Sequence, residues 1–207
     1  MSCETDFTAI NAKMTAFAKD AAASFLSAAA AHGGPADAVG DGSTARTVTG
    51  DHVPIAAVPW TGDGGDDHAT VDDAAKFQVL KFGENVVPSR AIALVSVDGQ
   101  ESGDVSVGAY SHGGAIGSIV MLADGTVPDQ TFLSNLACHV AGMNPSAIGG
   151  STGVDAESTL LGATYLFNTD GETVAEAISR ECGPEARVVA FVRLARGEDG
   201  VTVAANS

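Results

Sequence analysis

Two short strings carry the residue types of nucleophilic catalysis. Gly149-Gly150-Ser151-Thr152-Gly153 fits GxSxG, in which a serine on a strand-to-helix elbow attacks an ester, and His112-Gly113-Gly114 resembles the start of an oxyanion-hole segment. The flanks do not suit that chemistry. An elbow needs a strand directly before it and a helix directly after it, whereas a helix-patterned stretch ending near Pro145 comes first here and Val154-Asp155-Ala156-Glu157 follows. In a chain with 25 glycines the pattern arises easily by chance, so a serine hydrolase centred on Ser151 is the remote alternative. A second group is acidic: Asp63, Asp66 and Asp67 with His68, then Asp72 and Asp73, offer oxygen donors for Ca²⁺ or Mg²⁺. They lack the ligand order of an EF-hand and its closing glutamate, and binding would have to order a glycine-rich loop, so a solvated loop and no metal site are expected.

Cys3, Cys138 and Cys182 are odd in number and far apart, with no CxxC spacing and only His139 adjacent to one of them. That pattern predicts neither a disulfide framework nor a zinc site and suits a reducing compartment. No GxxxxGK[ST] loop occurs, nor a GxGxxG after a strand, so the chain has no phosphate cradle of its own and anything it does to a nucleotide goes through a partner. Ten Lys and Arg against 26 Asp and Glu give a formal charge of −16, a field that repels a phosphate backbone, so no direct nucleic-acid partner is expected. The most apolar run, 21–31, is too short to span a bilayer and follows no basic segment, so no membrane partner is expected. With 207 residues, 45% of them hydrophobic, the chain can bury the core of one large or two small domains.

The elements that must position these residues follow from periodicity. Ile10, Met14, Phe17, Ala21 and Phe25 step by three or four, predicting an amphipathic helix over 8–31 that ends at His32-Gly33-Gly34-Pro35. Residues 33–69, rich in Gly, Asp, Thr and Pro, read as a long loop or insertion, with only 53–60 apolar enough for a short strand or packed loop. Thr70 as N-cap, Asp72 and Asp73 in the first turn and Gly83 as the stop predict a helix over 71–82. Strands are expected at 90–97, 105–112 and 116–123, the last two joined as a hairpin across His112-Gly113-Gly114-Ala115. Pro128 at the first position opens a third helix, with Phe132, Leu136, His139, Val140 and Met143 on its buried side, and a short helix at 173–180 precedes a last strand at 187–196. His139 on that face predicts a buried, hydrogen-bonded core histidine. Strands and helices mix without a βαβ rhythm, which makes the class α+β.

Four separated strings add a family resemblance: Ser2-Cys3-Glu4-Thr5-Asp6-Phe7; Lys81-Phe82-Gly83-Glu84-Asn85 followed by Arg90; Gly108-Ala109-Tyr110-Ser111-His112-Gly113; and His139-Val140-Ala141. In this order, with Ala190-Phe191-Val192-Arg193 and Gly197-Glu198 at the end, the chain resembles translation elongation factor Ts. The resemblance implies two subdomains, 1–103 and 104–207, each a small antiparallel sheet packed with helices. It implies a guanine nucleotide exchange factor, without covalent chemistry or cofactor, whose partner is the GTPase elongation factor Tu. Asp6 and Phe7 would wedge between two helices of the GTPase beside its Mg²⁺ site, with Thr5 of the same string also binding the partner; Phe82 and Gly83 would make a second contact; His112 and Gly113 would approach the phosphate-loop side. No catalytic or metal residue is implied.

His139-Val140-Ala141-Gly142-Met143-Asn144-Pro145 leads almost directly to 160–167, without the helical hairpin usual in bacterial members, which is similar to the mitochondrial branch. A mitochondrial matrix setting is the first expectation and bacterial cytoplasm the second. The resemblance also implies a helical domain and two strands ahead of the CETDF string, which this chain is expected to lack. The expectation is therefore that strand 90–97 lacks sheet neighbours, that 1–103 is the less stable half, and that the chain is either an active exchange factor or a docking remnant without exchange activity.

Overall fold

The computed structural model describes residues 2–3, 11–32, 37–39, 45–49, 51, 53–62, 68–96, 105–149, 155–168, 170–198 and 201–205. Among them are four α-helices, nine strands and two short 3₁₀ turns, and the strands form three sheets whose assigned pairings are antiparallel in the two-stranded and four-stranded ones. The class is α+β. The chain divides into two compact units, one of residues 1–38 and 46–96, the other of 39–45 and 97–207.

In the first unit, α1 (Ala12–Ala31) starts at Asn11, whose side chain accepts from the Lys13 N–H at 2.9 Å. The cap stands at 11, so the helix opens later than the expected position 8. Its buried residues Met14, Phe17, Ala21, Ser24, Phe25 and Ala29 keep the three-and-four spacing of one face. α2 (Val71–Phe82) has the boundaries that its sequence predicts. Thr70 Oγ1 accepts from the Asp73 N–H at 3.2 Å, Asp72 and Asp73 complement the positive helix end, and Gly83, at φ 70°, turns the chain out of the helix with its N–H on the Val79 carbonyl at 2.8 Å.

Two expectations for this unit are overturned. The segment 33–69 is not a plain loop: it holds β2 (Asp37–Val39), β3 (Ala45–Thr49) and a 3₁₀ turn, Ile55–Ala57. β5 (Ile92–Ser96) is not left without a neighbour, because β3 lies beside it in a three-stranded sheet of order β2-β3-β5. Thr47 and Val48, adjacent in the middle strand, are both buried, as a strand covered on two faces requires. A second, two-stranded sheet pairs β1 (Ser2–Cys3) with β4 (Val86–Val87), Ser2 opposite Val87 and Cys3 opposite Val86.

The first unit's core is in two pieces. Ala21, Phe25, Ala29, Val48, Ile55, Val58, Val71 and Ala93 form one cluster, and Met14, Phe17, Ala74, Ala75 and Val86 the other. Trp60 packs against both. It stacks on Phe17 at 5.5 Å between ring centroids, and its neighbour Thr61 is stapled to α1, the Thr61 N–H donating to Ser24 Oγ at 3.0 Å. A Cβ on Gly62 would lie 2.4 Å from the Trp60 ring, so only glycine lets the chain leave along that ring.

The second unit is an antiparallel meander of order β6-β7-β8-β9: β6 (Ser106–His112), β7 (Ile116–Ala123), β8 (Arg187–Ala195) and β9 (Val201–Ala205). The β6–β7 hairpin forms as expected, with Ser106 opposite Leu122 and His112 opposite Ile116, and β9 is a strand that the sequence reading did not anticipate. α3 (Gln130–Met143) is capped by Asp129, which accepts from the Phe132 N–H at 2.7 Å, so Pro128 precedes the cap instead of occupying the first helical position. Asn144 at φ 47° ends the helix. α4 (Val174–Cys182) opens with a capping box of Thr173 and Glu176.

α3 is fixed to successive strands by three carbonyls spaced four residues apart. A Cβ on Gly108 of β6 would sit 2.3 Å from the Leu133 oxygen, so glycine admits the helix backbone there. Ser118 Oγ of β7 donates to the Ala137 oxygen at 2.6 Å. Arg193 Nε of β8 donates to the Ala141 oxygen at 3.0 Å, while its other nitrogens hold Glu198 at 2.7 and 3.2 Å. Arg193 is 7% exposed, and these bonds satisfy a buried guanidinium. Around this frame one cluster runs from Val120 and Phe132 through Leu136, Leu160 and Val174 to Phe191.

Candidate functional site

The candidate residues fall at three places. Thr5, Asp6 and Phe7 lie outside the described residues. The backbone just ahead of them does not: Cys3 pairs with Val86, three residues beyond Gly83, so β1 lies beside the chain that leaves Phe82 and Gly83. The sequence alone did not show that closeness.

Phe82 ends α2 and is only partly buried, packed against the cluster of Met14, Phe17, Ala74, Ala75 and Val86. Gly83 is exposed and takes a left-handed conformation that a side chain would strain. Leu80, two residues before Phe82, is 81% exposed, the most open of the large hydrophobic residues described, and no motif singled it out. It lies two residues past Gln78, the last buried position of α2, and that misfit to the three-and-four spacing is the available signal. On the same helix the Lys81 ammonium lies over the Phe77 ring, 4.2 Å from its centroid.

His112 and Gly113 form the tip of the β6–β7 hairpin in the other unit. Gly113 and Gly114 both have positive φ, 55° and 71°, the sign pattern of a type I′ turn, and the Ala115 N–H closes on the His112 carbonyl at 2.9 Å. Apart from the adjoining residues, no described atom lies within 4 Å of where a Gly113 Cβ would stand, so glycine is needed for its backbone conformation and not for room. His112 is exposed, and the Tyr110 hydroxyl lies 3.0 Å from its Nδ1. Tyr110 packs against the main core of its unit, so a rigid base carries an open tip.

His139 is the buried core histidine that its helix position predicts. It is fully buried, its Nδ1 accepts from the Leu166 N–H at 3.4 Å, and desolvation lowers its pKa to about 4, which keeps the ring neutral. Ser151 lies outside the described residues. The strand that an elbow would need before it is not found: among the described residues, 144–149 hold only an isolated bridge between Ala147 and Thr159. Asp63, Asp66 and Asp67 are likewise outside the described residues, and among those described no three His, Cys, Asp or Glu side chains are grouped to hold a metal ion. Nor, among them, is any helix long and apolar enough to cross a membrane.

The hairpin tip thus exposes a histidine, and the end of α2 carries a half-buried phenylalanine followed by a left-handed glycine. Comparison with known proteins names the class. A sequence model of the family described as Elongation factor TS matches residues 4–159, three quarters of the chain. The chain belongs to that family of translation elongation factors. It is 41% identical over 82 residues to elongation factor Ts of Pseudoalteromonas atlantica, covering 40% of this chain and 24% of that protein. Against elongation factor Ts of Coxiella burnetii it is 40% identical over 80 residues, again 24% of the relative's length. A longer match, 28% identical over 171 residues, covers 64% of this chain and 54% of elongation factor Ts of Xanthomonas campestris. The chain thus spans from about a quarter to about half the length of these relatives.

Proposed function

We propose that this chain binds the GTPase elongation factor Tu and speeds its release of GDP, without covalent chemistry or cofactor. The observation that carries the reading is the family match over residues 4–159, which includes all three candidate contacts. Phe7 and Asp6 supply an apolar wedge and a charge at close range, and Phe82 with Gly83 and His112 with Gly113 supply the flanking contacts. Wedging apart helices next to the nucleotide loosens the Mg²⁺ that bridges its phosphates, so GDP leaves faster. By linkage, nucleotide must weaken the grip of the factor to the same extent, and GTP then completes the cycle.

Release of a fluorescent GDP analogue from purified elongation factor Tu tests this. The expected result is acceleration by the wild-type chain that is lost in Phe7→Ala. Binding without acceleration would replace exchange with docking alone, and absence of binding would remove both. As for the setting, the relatives compared are bacterial, which supports bacterial cytoplasm. The short run from Asn144-Pro145 to Leu160 supports the mitochondrial matrix.

A further inference from the structure

We propose that Tyr110 is a positioning residue for His112, holding the imidazole of the hairpin tip in one tautomer and one orientation so that Nε2–H is the donor offered to the partner. This rests on the docking reading above and adds to it a residue that would not itself need to touch the partner. Three observations carry it. The Tyr110 hydroxyl and His112 Nδ1 are 3.0 Å apart, and the two rings lie 6.3 Å apart at 30°, as side chains two residues apart on one face of β6 allow. Tyr110 is not free to follow the histidine, because its ring packs against the core cluster that includes Val120, Leu136 and Phe191. Cys138 of α3 is the other side chain at this hydroxyl, and its sulfur, a weak acceptor, competes poorly with the imidazole for the one phenolic proton.

An imidazole lone pair is a better acceptor than a phenol oxygen, so the hydroxyl donates to Nδ1 and the ring proton resides on Nε2. His112 is otherwise exposed at a glycine turn, where its side chain would sample several rotamers and both tautomers. Fixing one of each before contact removes that ordering cost from binding. The same hydrogen bond thus sets the polarity of the tip: a donor faces outward, and the matching group on the GTPase is an acceptor oxygen.

The test has a partner-free arm and a partner arm. In the chain alone, long-range ¹H–¹⁵N correlation of the histidine rings is expected to show His112 as the Nε2–H tautomer, and Tyr110→Phe, which keeps the packed ring, is expected to give a mixture. An Nδ1–H ring in the wild type would overturn the proposal without any variant. With elongation factor Tu, Tyr110→Phe is expected to lower the efficiency of GDP release roughly three- to tenfold, and to add nothing in a His112→Ala background. If His112→Ala slows exchange while Tyr110→Phe does not, or if the two effects simply add, positioning is wrong and the docking reading stands. If His112→Ala leaves exchange unchanged, the tip is not a contact, and docking at His112 falls together with the role of Tyr110.

Discussion

In the unit of β6–β9, seventeen buried residues among those described form one cluster, and three carbonyls of a single helix meet three successive strands. In the unit of α1 and α2 the described core is two clusters of eight and five residues, and Trp60 touches both. Both units pack helices on small sheets with well-chosen caps. The difference lies in how burial is connected. A continuous core spreads a defect over many neighbours, whereas a divided one concentrates the coupling in whatever bridges it. The expected weak point of the first unit is therefore one aromatic ring, and that of the second is a helix–strand contact with no slack.

Gly108→Val sets this comparison its hardest test. The added side chain would meet the Leu133 carbonyl carbon and oxygen, which are backbone and cannot turn aside, so a cost of about 3 kcal/mol or more is expected. Denaturant midpoints check it, and a cost under about 1 kcal/mol would mean that α3 can lift from β6. Trp60→Ala should cost about 3 kcal/mol, the low end for removing a large aromatic, since Trp60 is only partly buried. Hydrogen exchange sharpens the contrast: amides of α1 and α2 should lose protection while those of β6–β8 keep theirs.

An effect of similar size appears only in acid. An unfolded histidine titrates near 6.5 and His139 in the fold near 4, so the unfolded chain takes up a proton that the folded one refuses as pH falls between those values. The stabilisation from neutral His139 is full above about pH 6.5 and declines toward pH 4, by on the order of 3 kcal/mol. His139→Gln should flatten this part of the stability profile relative to wild type; parallel profiles would refute the buried neutral ring. Smallest are the caps. Thr70→Ala and Thr173→Ala should each cost about 1 kcal/mol, one in each unit, and a much larger loss at Thr70 would show that α2 has less tertiary support than α4.

What the sequence made legible was local. The limits of α2 follow from Thr70, the first-turn aspartates and Gly83, all acting within a turn of where they stand, and the β6–β7 hairpin follows from alternation around two glycines. What it hid was relational. Arg46-Thr47-Val48 sits among Gly, Asp and Ser and reads as loop, yet it becomes the middle strand because β5 needs a partner. Ser2–Cys3 and Val86–Val87 are too short to show any period, and only their pairing makes them strands. Pro128 reads as the first helical residue, yet Asp129, one residue later, sets the start by its side-chain bond. At the hairpin tip, Tyr110 and His112 were readable as same-face neighbours, but the hydrogen bond between them was not.

The stripe of carbonyls on α3 has a last consequence. Leu133, Ala137 and Ala141 repeat at an interval of four, so sliding the helix by about 6 Å would present Gly108 and Ser118 with nearly the same surface. Arg193 breaks that degeneracy. Moved one way, its Nε would look for an oxygen at Pro145, past the Met143 end of the helix; moved the other way, Gly108 would meet Asp129, where the helix has not begun. Only one phase satisfies all three strands at once. The fourteen-residue length of α3 therefore acts as a vernier that reads out a single alignment of helix and sheet, a precision that an apolar interface of interchangeable leucines and valines would not supply.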